Sequence, residues 1–281
     1  MKVLLIGVGY WGSKILERLK RLPSAPEVVA ADPKLTAVCL ERPHVLELLR
    51  GSVAFEDYQD ALKMNPGIDA CIVATPMSTH YTIVKACLEA GKHVLVEKPM
   101  AKTGQEAREL VDLAFTKGLV LRTDLTFLEH PLVKGLAGAD IPGMVWTGPK
   151  SPRSDEGLLW TWAPHPVSIM LYAHRGQKPD RLGDRSAVEE GGESYTLDYD
   201  FPDGTWTIVR MAWGNFRSMR RLDVKDPDRL LDLTPIPQPE PLAQVLKHFL
   251  QAVKKHDTTP DWIGLKTVEV LEWTQLSKSP S

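Results

Sequence analysis

The first 121 residues alternate apolar β-forming runs with segments of helical spacing, and that alternation leaves the chain few folds to choose from. "KVLLIGV", "EVVAAD", "DACIVAT" and "HVLVE" are continuous apolar runs, as strands are when helices cover both faces of their sheet. Helical spacing follows them over 12–21, 35–50, 79–90 and 103–117. Repeated strand–helix units build a parallel, doubly wound α/β sheet.

Beyond residue 121 strand candidates follow one another directly: 144–148, 186–188, 194–201, 205–213, 220–224 and 230–233. "ESYTLDYDFPDGTWTIVRMAW" reads as a hairpin turning at Asp203-Gly204. With helices near 165–175 and 241–256, this half is expected to be an α+β domain with an open, mostly antiparallel sheet, so the predicted domains are 1–121 and 122–281. Seven of the eight tryptophans lie at or beyond Trp146. They suggest one sheet face packed on helices and another open to a partner, which predicts a homodimer or homotetramer.

A chain of 281 residues that is 43% hydrophobic can bury a sizeable core in one large or two modest domains. Its net charge of −2 gives no broad basic field for nucleic acid or an anionic membrane, and small molecules become the expected partners. No run approaches the ~20 apolar residues of a membrane span, and the N-terminal apolar run is too short for a secretion signal. Cys39, Cys71 and Cys87 lack the spacing of a disulfide framework or metal site, so no metal and a cytoplasmic location are expected.

"GVGYWG" places Gly7, Gly9 and Gly12 in G-x-G-x-x-G spacing between a strand and a helix, the context of a Rossmann dinucleotide site. Gly7 permits the turn, Gly9 lets a pyrophosphate approach the backbone, and Gly12 allows close helix–strand packing. Tyr10 and Trp11 sit within the loop, where shaping the pyrophosphate edge and packing on a neighbouring loop both fit. Asp32 ends the second strand, where a carboxylate accepts from both ribose hydroxyls and repels a 2′-phosphate. NAD is therefore the expected cofactor, with NADP as the alternative; Lys34 reads as a solvated loop lysine.

Ligands of open α/β sheets bind outside the carboxyl ends of the strands. "ATPMSTH" and "EKP" end two further strands, bringing Thr75, Pro76, His80, Glu97 and Lys98 to the cofactor side. His80 fits a helix-start or packing role equally well. Pro99 stops its strand and holds Lys98 extended, in a peptide bond open to the cis form. An ammonium presented there can hydrogen-bond a substrate hydroxyl and stabilise alkoxide character as hydride leaves.

"GVGYWG", "AADP", "VATPMSTH" and "HVLVEKPMAKT", in this order and spacing, resemble the Gfo/Idh/MocA family of NAD(P)-dependent oxidoreductases. The resemblance implies a Rossmann domain joined to an α+β domain whose open sheet forms oligomer contacts, and oxidation or reduction of a carbinol on a sugar or related polyol. It makes Lys98 the active-site lysine. "GLLWTWAPHPVSIMLY" resembles the family segment that brings a histidine to the nicotinamide, which is His165 here. Imidazole, with a pKa of about 6.5, suits proton exchange with the hydroxyl. Where the family often has an aspartate four residues earlier this chain has Thr161, and Pro166 stands where its nearest-looking members carry an acid.

Asp124, Phe127 and His130 follow the sixth strand and fit either a pocket border or packing. Arg217, Arg220 and Arg221 fit a phosphate contact or a solvated basic strand edge. The resemblance thus implies an NAD-dependent dehydrogenase or reductase of a sugar or nucleotide-sugar carbinol, with Lys98 and His165 moving the proton and Asp124 and Thr161 beside the substrate. Reduction of a conjugated C=N or C=C bond, and a catalytically silent NAD-binding regulator, are its alternatives.

Overall fold

The computed structural model describes residues 1–149, 156–188, 193–214, 217–225, 228–238 and 240–278. The chain forms two compact units, Met1–Asp124 with Leu242–Asp261 and Leu125–Pro241 with Trp262–Ser281.

The first unit carries a six-stranded parallel sheet: β1 (Lys2–Ile6), β2 (Glu27–Ala31), β3 (Val53–Phe55), β4 (Ala70–Val73), β5 (His93–Glu97) and β6 (Leu121–Asp124), in the order β3-β2-β1-β4-β5-β6. The order reverses beside β1, opening a crevice at the carboxyl ends. Its helices are α1 (Tyr10–Arg21), α2 (Leu35–Glu41), α3 (Pro43–Leu49), α4 (Tyr58–Met64), α5 (Met77–Glu89) and α6 (Gly104–Thr116). The single helix expected over 35–50 is two, because Pro43 lacks an amide hydrogen and opens a new helix at its first position. α6 starts at a capping box in which the Thr103 hydroxyl accepts from the Glu106 amide and the Glu106 carboxylate accepts from the Thr103 amide.

The second unit has a 3₁₀ turn at Thr126–Glu129, the short helices α7 (Pro131–Lys134) and α8 (Gly157–Trp162), and α9 (Pro164–Ala173). Its strands are β7 (Gly143–Gly148), β8 (Arg181–Leu182), β9 (Ala187–Val188), β10 (Ser194–Asp200), β11 (Trp206–Trp213), β12 (Met219–Lys225) and β13 (Asp228–Asp232). They run in the order β13-β12-β7-β11-β10-β8, with β9 on β10; β7 and β11 pair in parallel and the other pairs are antiparallel. The sheet is thus mixed, though mostly antiparallel as expected. Its tryptophans turn inward more than expected: Trp146 and Trp213 are buried, and of the strand tryptophans only Trp206 is exposed.

Two helices close the chain. α10 (Pro241–Lys255) lies with the first unit, where Leu242, Val245, Leu246, Phe249, Leu250 and Val253 join the core of β1, β2 and α1. Their spacing makes one apolar stripe. The chain after α10 is tied to β6, as the Arg122 guanidinium donates to the carbonyls of Asp257 (3.1 Å) and Thr259 (2.7 Å) and the Thr123 amide to Asp261 (2.6 Å). The first unit is therefore built from two stretches of chain, where the sequence had suggested one ending at 121. α11 (Trp262–Lys278) packs with α9 in the second unit. Among the described residues no helix is long and apolar enough to cross a membrane.

Candidate active site

The glycine loop joins β1 to α1. Gly7 has φ 87° and its amide donates to the Ala31 carbonyl at 2.8 Å. A Cβ on Gly7 would stand 2.7 Å from the Ala74 carbonyl oxygen, and one on Gly12 would overlap the Gly7 carbonyl oxygen. These two glycines let three strand ends and a helix converge. Gly9 faces open space, and as the residue before α1 it offers no side-chain cap. The start of α1 favours an anion, so the helix dipole and the room at Gly9 suit a pyrophosphate.

Asp32 is buried and braces this loop. Its carboxylate accepts from the Val8 amide (2.8 Å) and the Lys34 amide (2.8 Å). A carboxylate has about four acceptor sites, so capacity for a ribose diol remains. Tyr10 and Trp11 are exposed and meet edge to face at 5.7 Å. Lys14 Nζ sits 4.1 and 4.5 Å from their ring centroids and donates to Tyr10 Oη at 2.8 Å. Arg42 lies 5.6 Å from the Tyr10 centroid. Lys14 and Arg42 escaped the sequence reading; the former is legible one helical turn from Tyr10, the latter only through folding.

Lys98 follows β5, and its bond to Pro99 is cis. Glu97 stands opposite Asp124 in the β5–β6 register. Both carboxyls are buried. Burial first, and then the charge of Asp124, push the Glu97 carboxyl well above the usual range; the charge of Lys98 opposes them. The Lys98 ammonium therefore has a buried acid pair next to it.

His80, 1% exposed, approaches the Pro99 carbonyl with Nδ1 (2.8 Å) and the Thr75 carbonyl with Nε2 (2.9 Å). It ties the loop after β4 to the loop after β5. Neutral imidazole has one N–H and one lone pair, so it can donate to only one of the two. Burial lowers its pKa, the two carbonyls oppose that, and Lys98 adds to the lowering. The Thr79 hydroxyl is 2.8 Å from both Thr75 Oγ1 and the Pro76 carbonyl. His80 and Glu97 were expected among the cofactor contacts, and Asp124 beside the substrate. All three are buried at these strand ends, and His80 braces the loops after β4 and β5.

In the second unit His165 occupies the first turn of α9, between Pro164 and Pro166, where missing amide hydrogens cost the helix little. Its ring is stacked near Trp146 (6.1 Å, 20°) and meets Phe127 edge on (4.9 Å, 69°). Thr161 donates to the Gly157 carbonyl at 2.7 Å. That position brings a hydroxyl turned back on its own helix and no carboxylate. Arg220 joins the same aromatic pair, while Arg217 is exposed. His130 is buried and receives the Leu132 amide on Nδ1 at 3.2 Å, capping α7.

A glycine loop with this geometry, at the switch point of a parallel sheet in this order, defines an NAD-binding Rossmann domain. Residues 1–125 match the model of the oxidoreductase family with NAD-binding Rossmann fold, Gfo/Idh/MocA. The uncharacterized oxidoreductase YdgJ of Escherichia coli (strain K12) is 35% identical over 153 residues, 52% of this chain and 41% of that protein. The dTDP-3,4-didehydro-2,6-dideoxy-alpha-D-glucose 3-reductase of Saccharopolyspora spinosa is 35% identical over 130 residues, 44% of this chain and 38% of that protein. The chain thus spans less than half the length of these relatives. The structure of UDP-N-acetylglucosamine 3-dehydrogenase GnnA from Acidithiobacillus ferrooxidans superposes with a TM-score of 0.77, covering 98% of this chain and 96% of that one at 21% identity. At that identity the likeness is one of fold.

Proposed function

We propose that the protein is an NAD-dependent oxidoreductase that moves a hydride between the nicotinamide and a carbinol or ketone of a sugar or nucleotide-linked sugar. The observation that carries this reading is Lys98, held after a strand end beside the buried carboxyls of Glu97 and Asp124, in a domain that matches the model of an NAD-binding oxidoreductase family. The S. spinosa relative named as a nucleotide-sugar reductase supports the substrate class. NAD, when bound, accepts or returns the two electrons of the C–H bond as hydride.

The chain's own residues do the rest. The backbone from Gly9 into α1 receives the pyrophosphate, Tyr10 and Trp11 border it, and Asp32 takes the ribose diol on its remaining acceptor sites. Thr75 and Pro76 line the nicotinamide side. Lys98 donates to the substrate oxygen and steadies the negative charge that grows there. His165 in its neutral form takes the hydroxyl proton in oxidation and returns it in reduction. Association into a homodimer or homotetramer through the outer sheet face, where Trp206 is exposed, belongs to the same reading.

The test is absorbance at 340 nm with NAD and a panel of free and nucleotide-linked sugars, and with NADH and the matching ketones. A change with one sugar class that vanishes in Lys98→Ala supports the proposal. NAD binding without turnover of any member would sink it. Thr161, which supplies no carboxylate to His165, favours a second reading: reduction of a conjugated C=N or C=C bond, for which His165→Ala would leave turnover largely intact.

A further inference from the structure

Alternation along β12 turns Arg220, Leu222 and Val224 to one face and Arg221, Asp223 and Lys225 to the other. Leu222 and Val224 are buried, while Asp223 and Lys225 are exposed. In the register with β7, Leu222 stands opposite Met144 and Arg220 opposite Trp146, and both β7 residues are buried. Arg220 thus takes the place of an apolar residue on the inner face of an interior strand, since β13 and β7 flank β12. A solvated basic edge does not describe it.

Among the described residues no counter-charge meets Arg220. Its guanidinium carbon is 5.7 Å from the Phe127 centroid and 6.0 Å from that of Trp146, the two rings that flank His165. Among the described residues it forms no ion pair, and its Nε, shut off from water, has no hydrogen-bond partner. The Nε of its neighbour Arg221 is likewise without a partner among the described residues, but Arg221 faces Asp232 across the β12–β13 pair and draws that carboxyl below its usual range after the Thr234 hydrogen bonds. Burial alone displaces Arg220, lowering its pKa, with no carboxylate to offset it. Aromatic faces repay only part of such desolvation, whereas a planar guanidinium meets a carboxylate or phosphate through two parallel hydrogen bonds.

We infer that Arg220 recognises an anionic group of the substrate, a sugar carboxylate or the phosphate of a nucleotide-linked sugar, in the aromatic cradle that holds His165. This rests on the proposed function for the identity of the substrate as a sugar. The anion completes the guanidinium's hydrogen bonds, and Phe127 and Trp146 keep the planar group in place.

The experiment is calorimetric titration of the NAD-saturated protein with UDP, D-glucuronate and D-glucose, in wild type, Arg220→Leu and Arg220→Lys, with a melting curve for each. Wild type is expected to bind at least one charged probe about 10- to 100-fold more tightly than Arg220→Leu, with Arg220→Lys between them and the glucose response unchanged. UDP alone assigns the phosphate, glucuronate alone the carboxylate, and both a general anion site. Arg220→Leu, which continues the apolar row of β12, should melt no lower than wild type. Equal weakening for glucose together with a lower melting point would make Arg220 a packing residue and overturn the inference, as would failure of both charged probes. Because the titration needs no turnover, a protein that binds anions through Arg220 but shows no change at 340 nm would sink the oxidoreductase reading and leave this one standing.

Discussion

The strand ends of the first unit and the aromatic cradle of the second manage buried charge in opposite ways. In the first, Asp32 takes two backbone amides, Glu97 stands opposite Asp124, and His80 spans two carbonyls. Polar side chains there hold backbone in place, and the backbone meets the dinucleotide. In the second, Arg220 lies against Phe127 and Trp146 with its Nε unmet. One region spends Asp32 and His80 on holding backbone; the other keeps a guanidinium against aromatic faces. A buried group with all its partners argues for support, and one without them argues for a ligand.

The comparison can be broken most decisively at Lys98, the one cation of the first region assigned to substrate. Lys98→Ala should lower turnover by about 10³-fold, within the usual range for a group that exchanges or stabilises a proton, while fluorescence titration finds NAD affinity nearly unchanged. A comparable loss of NAD affinity would make Lys98 one more brace. Next in size is Gly12→Ala, whose methyl would overlap the Gly7 carbonyl oxygen. Overpacking against backbone should cost about 3 kcal/mol in urea unfolding and abolish NAD binding. Full stability would mean the loop yields and is less rigid than its hydrogen bonds imply.

Two smaller effects carry opposite signs with pH. The folded-state pKa of His80 is lowered from its ordinary 6.5, so the unfolded chain binds more protons below that value. Its contribution to stability is therefore lost as pH falls through 6.5. His80→Gln should flatten the acid side of the stability profile by at most one proton, about 1.4 kcal/mol per pH unit. The remaining slope includes His93, His130 and His174, which burial also lowers. Glu97 is raised above its ordinary 4.5, so the folded state holds the extra proton and stability declines as pH rises above 4.5. Glu97→Gln, which does not titrate, should remove that decline. An unchanged profile would mean that Glu97 does not hold that proton.

Local signals were legible where a residue's role depends on its chain neighbours. The apolar runs of β1, β2, β4 and β5 and the turn at Gly7 are of this kind. β3 has only three residues, Val53–Phe55, too short a run to be singled out. α11 was missed because Leu265, Val268, Val270 and Leu271 are all buried, so its apolar positions do not keep to one helical stripe and its period is blurred. α10 shows a clear stripe, yet no sequence feature names the surface that takes it. Lys98 could be picked out because Pro99 restricts its backbone, and His165 because of the resemblance around it. Arg220 was read as one of three arginines, since only pairing on both sides makes β12 interior and turns alternate residues inward.

The sequence alone determined the doubly wound parallel sheet, the glycine loop and the lysine after β5, because hydrophobic period, glycine spacing and proline sterics act within a few residues. Tertiary structure decided the return of α10 to the first unit, the bracing of two loops by His80, and the placing of Arg220 beside the rings that flank His165. Each of these depends on which distant group stands within hydrogen-bonding or van der Waals reach. Such contacts join residues tens of positions apart, and their energies exist only once the sheets have paired.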